Sequence, residues 1–347
     1  MFMLSFKKRL IKIAISLFFV SLFMCLSVGD IWADLQNNLC GCAVIKDDAL
    51  RLKCYDEISA RIQPTGAEPV PIVQRKPSYL SQLWELDKDP FRGKLAIKMH
   101  RSNYILPISY NWSPNGGPIE AATPGREVLE SEVAFQLSLK TKLWEDILGK
   151  DLDLWFGYTQ RSFWQLYNFK DSAPFRETNY EPEVFINLPM DIPLPGVRLR
   201  SINFGINHQS NGKSAPLSRS WNRIVANVGF ERESLFGNRD SAVLELKSWY
   251  RIPESGDSDD NPNIDDYMGN GSIWGYYLWE KHRFGMMLRN NLNFDDNHGA
   301  MQLEWSFPLN DRVSGYIQYF TGYGESLLDY DHSVNRLGMG FILTDWD

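Results

Sequence analysis

The feature that most constrains the fold of this chain is an alternation of apolar and polar residues that recurs from about residue 92 onward. Because successive side chains of a β-strand point to opposite faces, such alternation predicts strands with one apolar face. Turn-forming stretches such as SPNGG, FGNRD and SGDSDDNPN separate the rows, and no strong helical period interrupts them. The pattern predicts an all-β chain. The clearest apolar rows are Val133, Phe135, Leu137 and Leu139; Phe284, Met286, Leu288, Asn290, Leu292 and Phe294; Met301, Leu303, Trp305 and Phe307; and Leu337, Met339, Phe341 and Leu343.

The first 33 residues differ from the rest and are typical of a secretory signal peptide. Four basic residues precede an apolar stretch from Ile13 to Val28, and Ala33 stands at a plausible cleavage position. An uncleaved anchor helix is the alternative. Lipoprotein cleavage before Cys25 is disfavoured because Met24 is not a small residue.

Alternation allows a soluble β-sandwich as well as a membrane barrel, and three features favour the barrel. The first is that the chain is predicted to be exported. Aromatic residues cluster toward strand ends in YNW, SFWQLY, SWYR and IWGYYLW, which is typical of the aromatic girdles of outer-membrane barrels. The last predicted strand runs almost to the end of the chain, with Trp346 nearby. We therefore predict a transmembrane antiparallel β-barrel of about 12 strands over residues 79–347, preceded by a short N-terminal periplasmic segment.

Residues 34–78 form that segment. Residues 34–63 are predicted to contain a small helical element, and the proline-rich residues 64–78 an extended linker. Cys40, Cys42 and Cys54 remain after signal cleavage, in an oxidising compartment. Three cysteines allow at most one bridge among them, and Cys42–Cys54 is the expected pair. Both an interaction module and a plain leader fit this composition.

The charge and histidine content exclude some partners. The full chain carries a net charge of −7, and removal of the basic signal peptide makes it more acidic, so nucleic acid is not an expected partner. The five histidines show no paired ligand spacing, which argues against zinc.

The stretch NHQSNGKSAPLSRSWNR, residues 207–223, contains the most informative polar residues. A hairpin centred on Ala215 places His208 opposite Asn222 and, below that pair, only apolar residues opposite one another. The apolar face of a barrel with a polar interior contacts lipid, so His208, Ser210 and Asn222 are predicted on the outer wall near one rim. The apolar pairs are Ile206 with Ile224, Phe204 with Ala226, and Ile202 with Val228.

This trio has the residue types of a nucleophile, a base and an orienting amide. Ser210 and His208 are neighbours on one face, and Asn222 is within reach of the imidazole across the hairpin. Nucleophilic acyl transfer requires a base beside the hydroxyl and a third group that holds the base. The alternative is that these are ordinary rim residues, because a bare His-x-Ser is weak evidence.

The same stretch resembles the active-site segment of the outer-membrane phospholipase A family. The motifs YTQRSFWQLYN, APFRETNYEPEVF, DDNPNIDDYMGN and YFTGYGESLLDYDHSVNRLGMGF resemble that family in the same order, over about residues 78–347. The resemblance implies a twelve-stranded outer-membrane barrel. It also implies calcium-dependent hydrolysis of sn-1 or sn-2 esters of phospholipids and lysophospholipids by a Ser–His–Asn triad, in a reversible homodimer.

Residue by residue, the resemblance implies Ser210 as nucleophile, His208 as general base and acid, and Asn222 as orienter. It assigns an oxyanion donor to the N–H of Gly212 and a second donor to a calcium-bound water. The implied calcium ligands are the carbonyl of Lys213, the hydroxyl of Ser218 and the carbonyl of the partner's Ser172; Asp260 belongs to the calcium site of the monomer, and Leu137 and Gln160 match interface positions.

One position departs from the family pattern. Ala215 stands where the best-known members carry an acid that helps to hold calcium in the monomer. We therefore expect weaker calcium binding by the monomer of this chain.

Two other classes of protein remain as alternatives. A non-catalytic barrel, either a porin or an enzyme relic, has the same fold without the chemistry. A secreted soluble lipase usually carries Gly-x-Ser-x-Gly on an α/β fold, and neither feature is present in this sequence.

Overall fold

A computed structural model describes residues 77–86 and 95–343, apart from 238, 257–258 and 311, together with residues 45, 47 and 50–54. The chain divides into two compact units, residues 1–76 and 77–347. In the first unit, residues 50–54 are helical and Cys54 is disulfide-bonded. The signal peptide, most of the linker and Cys42, the predicted partner of Cys54, lie outside the described residues.

In the described residues of the second unit, an antiparallel sheet is accompanied by three short helices. The helices are α1 (Tyr79–Trp84), α2 (Gly117–Ala122) and α3 (Ile264–Met268), and a 3-10 turn spans Ile147–Gly149. No helix in the described part of the chain is long and apolar enough to cross a membrane. The strands are β1 (Ile97–Met99), β2 (Tyr104–Asn111), β3 (Ser131–Trp144), β4 (Asp153–Trp164), β5 (Phe175–Leu194), β6 (Val197–Ser210), β7 (Ser220–Glu233), β8 (Asp240–Ile252), β9 (Gly271–Trp279), β10 (His282–Asn290), β11 (Gly299–Pro308), β12 (Val313–Tyr323) and β13 (Ser333–Leu343).

The sheet closes on itself as a twelve-stranded barrel. Each strand from β2 to β13 pairs with its neighbours in sequence, and β13 pairs with β2 to complete the ring. The short strand β1 pairs with residues 139–141 of β3, and β2 pairs with residues 131–136 of the same strand. Strands β1 and β2 therefore lie one after the other along the same edge of β3. The predicted all-β barrel of about 12 strands is confirmed, with one additional short strand.

The two faces of the barrel wall have opposite character. On β6, Phe204 and Ile206 are 58% and 60% exposed on the outside, whereas Asn203 and Asn207 are buried inside. Buried charged side chains pair within the interior, for example Arg283 with Glu304 at 3.1 Å. An apolar outside and a hydrogen-bonded polar inside are what a strand requires to cross a bilayer.

One predicted row extends beyond its strand. Strand β10 ends at Asn290, and the following Leu292 and Phe294 are exposed loop residues. Leu292 has a φ of 54°, which interrupts the extended backbone that alternation requires. The prediction of strand structure at these two residues was therefore wrong.

Helix α1 packs inside the barrel, at the end opposite the β6–β7 loop. Leu80 and Trp84 are buried against Trp155, Phe185 and Val243 of the wall. The N–H of Leu80 donates to Glu231 at 3.3 Å, so this end of the interior is occupied by the chain itself.

The interior at the other end is covered by α3 and by the loop between β12 and β13. Leu327 and Tyr330 of the loop pack with Trp221, Trp249 and Ile264 in one apolar cluster. A cavity of about 280 Å³ remains between the two ends, lined by charged and polar side chains together with aromatic and aliphatic ones.

Candidate active site

The hairpin of β6 and β7 has the register that the sequence predicts. His208 pairs with Asn222, Ile206 with Ile224, Phe204 with Ala226 and Ile202 with Val228. The polar residues therefore lie on the outer wall, directly beyond the exposed apolar band of Phe204 and Ile206.

His208 and Asn222 form the best-defined contact of the site. Nδ1 of His208 lies 2.8 Å from Oδ1 of Asn222. Because an amide oxygen only accepts, the imidazole donates from Nδ1–H, which leaves the lone pair of Nε2 available as a base. This is the tautomer that a general base beside a serine needs.

Ser210 lies two residues further along β6 on the same face. In the described part of the chain, its Oγ makes no hydrogen bond to His208. Hydrogen bonds of a triad are often long in the absence of substrate, and rotation about the Cα–Cβ bond of serine moves Oγ. The pairing of nucleophile with base stays a prediction.

The loop from 211 to 219 is organised by the buried side chain of Asn211. Its Oδ1 accepts from the N–H groups of Lys213 and Arg219 at 3.2 and 3.0 Å, and its Nδ2 donates to the carbonyl of Leu217 at 2.8 Å. One amide therefore ties both ends of the loop together and positions the backbone that follows Ser210.

Gly212, the predicted oxyanion donor, has a backbone conformation that favours glycine. Its φ is 64°, in the left-handed region that favours glycine. An added Cβ would lie 3.3 Å from Cε2 of Tyr180, which is tighter than ordinary contact. Within the described residues the N–H of Gly212 donates no hydrogen bond, and its role as oxyanion donor stays a prediction.

The predicted calcium residues are only partly gathered. Oγ of Ser218 donates to Oδ2 of Asp260 at 2.5 Å, so these two oxygens lie together in spite of their separation in sequence. Lys213 directs its ammonium away, to Glu177 at 3.0 Å. Ser172 is exposed in the β4–β5 loop with a φ of 61° and, in the described chain, makes no hydrogen bond to the other three. Ser172 is predicted to bind across a dimer, so a single chain does not test it.

A buried ion-pair network supports this loop from inside the barrel. The carbonyl of Arg176 accepts from the Lys213 ammonium at 2.5 Å, and the Arg176 guanidinium bonds Glu132 and Asp329 at 2.8 to 3.1 Å. Burial raises the pKa of Asp329, but Arg176 and the Ser326 hydroxyl outweigh it, so the pKa lies below its ordinary value. Asp329 is therefore ionised and holds the β12–β13 loop over the barrel end.

The predicted interface residues share one row of the wall with Ser210. Leu137 pairs with Gln160, Gln160 with Tyr180, and Tyr180 with Ser210. With strands about 4.8 Å apart, Leu137 is roughly 14 Å from Ser210 along the wall. A second copy that docks on Leu137 and Gln160 would thus lie beside the candidate nucleophile.

Sequence reasoning missed several residues that build the site. Asn211 organises the loop, and the buried Asn261 accepts from the N–H of Ser220 at 2.9 Å. Glu254 accepts from Nδ2 of Asn222 at 3.1 Å. Of these residues, only Glu254 could have been found from the sequence pattern. It lies two residues beyond Ile252, the β8 partner of Asn222, and side chains two residues apart along a strand point to the same face, here the outer one.

Comparisons with known proteins identify relatives of this chain. The family model for phospholipase A1 matches residues 80–343. A Klebsiella pneumoniae phospholipase A1 is 41% identical over 271 residues, which cover 77% of this chain and 88% of that protein. A Neisseria meningitidis serogroup B protein, provisionally named a phospholipase A1, is 37% identical over 356 residues, which cover 88% of this chain and 91% of that protein.

A solved structure shows the same fold. The outer-membrane phospholipase of Salmonella typhi, a dimer with bound calcium, superposes with a TM-score of 0.68 at 34% identity, over 78% of this chain and 99% of that one. The match to a closed barrel of the outer membrane identifies this chain as a multi-pass outer-membrane protein. With more than half of its length matched by the family model, the chain belongs to the phospholipase A1 family.

Proposed function

We propose that this chain is a calcium-dependent outer-membrane phospholipase that hydrolyses sn-1 and sn-2 acyl esters of phospholipids and lysophospholipids, and that dimerisation activates it. The observation that carries the proposal is the His208–Asn222 hydrogen bond on the outer wall, with Ser210 on the same face. A polar group exposed toward lipid is costly to place, and ester hydrolysis at the membrane surface gives it a reason.

The residues suggest the following chemistry. Nε2 of His208 removes the proton of Ser210 as Oγ attacks the ester carbonyl carbon, and the carbonyl π electrons move to oxygen. The N–H of Gly212 donates to that oxyanion. Collapse expels the glycerol oxygen, which takes the proton from His208. Water then releases the fatty acid from Ser210 by the same proton transfers in the same order.

The oxygen atoms of the site suit calcium. Ser218 and Asp260 place a hydroxyl and a carboxylate together, and calcium prefers such hard oxygen ligands, with backbone carbonyls and waters completing its shell. Within the described residues no group of three or more acidic, histidine or cysteine side chains is gathered for a metal. When bound by Lys213, Ser218 and the partner's Ser172, calcium supplies positive charge that stabilises the oxyanion.

A ligand from a second copy gives dimerisation a physical role. If the partner's Ser172 completes the calcium shell, the full site exists only in the dimer. The row that joins Leu137 and Gln160 to Ser210 supports an interface at this position. Disordered lipid in the outer leaflet would then bring substrate and a second copy to the site together.

The main alternative is a non-catalytic barrel. A porin needs an open lumen, but α1 occupies one end of this interior, and α3 with the β12–β13 loop covers the other. An enzyme relic remains as the alternative that activity measurements address.

The experiment is fatty-acid release from mixed phospholipid–detergent micelles, with calcium or with EDTA. The wild type is compared with Ser210→Ala and with Ser214→Ala, an exposed serine of the same loop that serves as control. We expect calcium-dependent release that disappears only in Ser210→Ala. A folded wild type that releases nothing would contradict the proposal, and release that survives in Ser210→Ala would assign the nucleophile elsewhere.

A further inference from the structure

Glu254, which follows β8, is hydrogen-bonded to Asn222 of the candidate triad. Its Oε1 accepts a hydrogen bond from Nδ2 of Asn222 at 3.1 Å, and its side chain is half-buried. The same Asn222 accepts from His208 through Oδ1 at 2.8 Å. Asn222 therefore lies between the imidazole and a carboxylate, and both ends of its amide are used.

The carboxylate determines which way the amide of Asn222 faces. An asparagine side chain has a donor end and an acceptor end of nearly equal shape, so a half-turn of the amide exchanges them. A carboxylate only accepts, so it binds the Nδ2 end and repels the Oδ1 end. Glu254 therefore favours the orientation in which Oδ1 faces His208.

The orientation of Asn222 in turn sets the tautomer of His208. With Oδ1 toward the ring, Nδ1 carries the proton and Nε2 keeps its lone pair for Ser210. With Nδ2 toward the ring, Nδ1 would accept and the proton would reside on Nε2, which then could not act as base. A neutral amide alone does not separate these two states, whereas a neighbouring carboxylate does.

In the described residues, the negative charge of Glu254 is not neutralised by a basic side chain. In the described part of the chain, no lysine or arginine forms an ion pair with Glu254, and Asn222 is the partner of its hydrogen bond. A carboxylate that binds through an amide also offsets the positive charge of an imidazolium formed during acyl transfer.

We infer that Glu254 is a fourth, positioning member of the site, which orients Asn222 and supplies the negative charge that a Ser–His–Asn arrangement otherwise lacks. This inference rests on the proposed function. Glu254 acts through Asn222 and does not contact the reacting atoms.

The test is a double-mutant cycle of Glu254 and Asn222, measured as kcat and KM for fatty-acid release. Glu254→Ala should lower kcat about 5- to 20-fold, the range of a partly exposed hydrogen bond to a charged group, with KM changed less than about twofold. Glu254→Gln keeps an acceptor for Nδ2 but loses the charge, so its loss should be smaller, about two- to fivefold. In an Asn222→Ala background, loss of Glu254 should change kcat by less than about twofold, because the residue through which it acts is gone.

Asp295→Asn is the matched control, since it removes one negative charge from another exposed loop. Heat-modifiable gel mobility confirms that each variant is a folded barrel. Unchanged kcat in Glu254→Ala, or equal losses in the wild-type and Asn222→Ala backgrounds, would overturn the inference while the proposed function stands. A folded wild type without activity would overturn both, so the two failures are distinguishable.

Discussion

Replacement of Asp329 by asparagine tests whether the buried network under the loop from 211 to 219 stabilises the barrel through charge. Nη1 of Arg176 lies 2.8 Å from Oδ2 of Asp329, and the Ser326 hydroxyl donates to the same oxygen at 2.6 Å. The side chains of Arg176 and Asp329 are 1% and 0% exposed, so solvent hardly screens the pair. Asparagine keeps the shape and one acceptor but removes the charge.

The expected loss is smaller than that for an isolated buried pair. Removal of one partner of a buried ion pair costs about 3–5 kcal/mol because the other charge is left uncompensated. Arg176 keeps Glu132, which binds it through two oxygens at 2.9 and 3.1 Å, so its charge stays balanced. We therefore expect Asp329→Asn to lower the free energy of unfolding by about 2–3 kcal/mol.

The effect has a defined pH dependence. The folded-state pKa of Asp329 lies below its unfolded value, since Arg176 and Ser326 outweigh the effect of burial. Its contribution to stability is therefore fully present above the unfolded-state pKa of about 3.9, and it is lost as pH falls through the lower folded-state pKa. The stability difference between wild type and Asp329→Asn should be largest near neutral pH and should shrink in acid.

Urea unfolding in detergent micelles, followed by tryptophan fluorescence at neutral and acidic pH, measures this difference. Asp295→Asn, which removes an exposed carboxylate, should change stability by less than about 0.5 kcal/mol. A difference that stays constant from neutral pH to well below about pH 3.9 would refute the electrostatic reasoning and leave packing as the cause.

Three further variants test separate parts of the structure. Gly212→Ala forces an L-residue into a φ of 64° and adds a Cβ 3.3 Å from Tyr180, so kcat should fall about 10- to 1,000-fold because the oxyanion donor is misdirected. The control is Gly237→Ala, where the added Cβ meets open space and activity should be kept. Equal activity of the two variants would remove Gly212 from the mechanism. Leu80→Ala should lower the free energy of unfolding by about 2–4 kcal/mol, because it leaves a cavity where the fully buried Leu80 of α1 packs against the wall. The kcat per folded molecule should not change. Wild-type stability in a urea titration would mean that α1 does not stabilise the barrel. Ala215→Asp should tighten calcium binding by the monomer in a calcium titration, and an affinity equal to that of wild type would contradict the role assigned to this position.

The sequence alone was enough to predict an all-β barrel of about 12 strands and the register of the β6–β7 hairpin. The period of two is a local property of an extended backbone, and it was visible wherever one face meets lipid and the other a polar interior. The pairing of His208 with Asn222 followed from a hairpin centred on Ala215. A one-residue slip of the register would move both Phe204 and Ile206 from the lipid-facing side of the wall to the polar interior. The prediction failed at Leu292, where a left-handed residue ends the alternation without a change in composition.

Only the tertiary structure decided what fills the barrel and what supports the site. Helix α1 is a short apolar segment whose partners, such as Glu231 and Val243, are about 150 residues away in sequence, so nothing near it shows that it lies inside. The Arg176–Asp329 pair and the Glu254–Asn222 hydrogen bond likewise join segments that meet only after the ring of strands has closed. Alternation along one strand specifies which way its side chains point, whereas the partner that a side chain meets depends on how distant strands and loops are brought together.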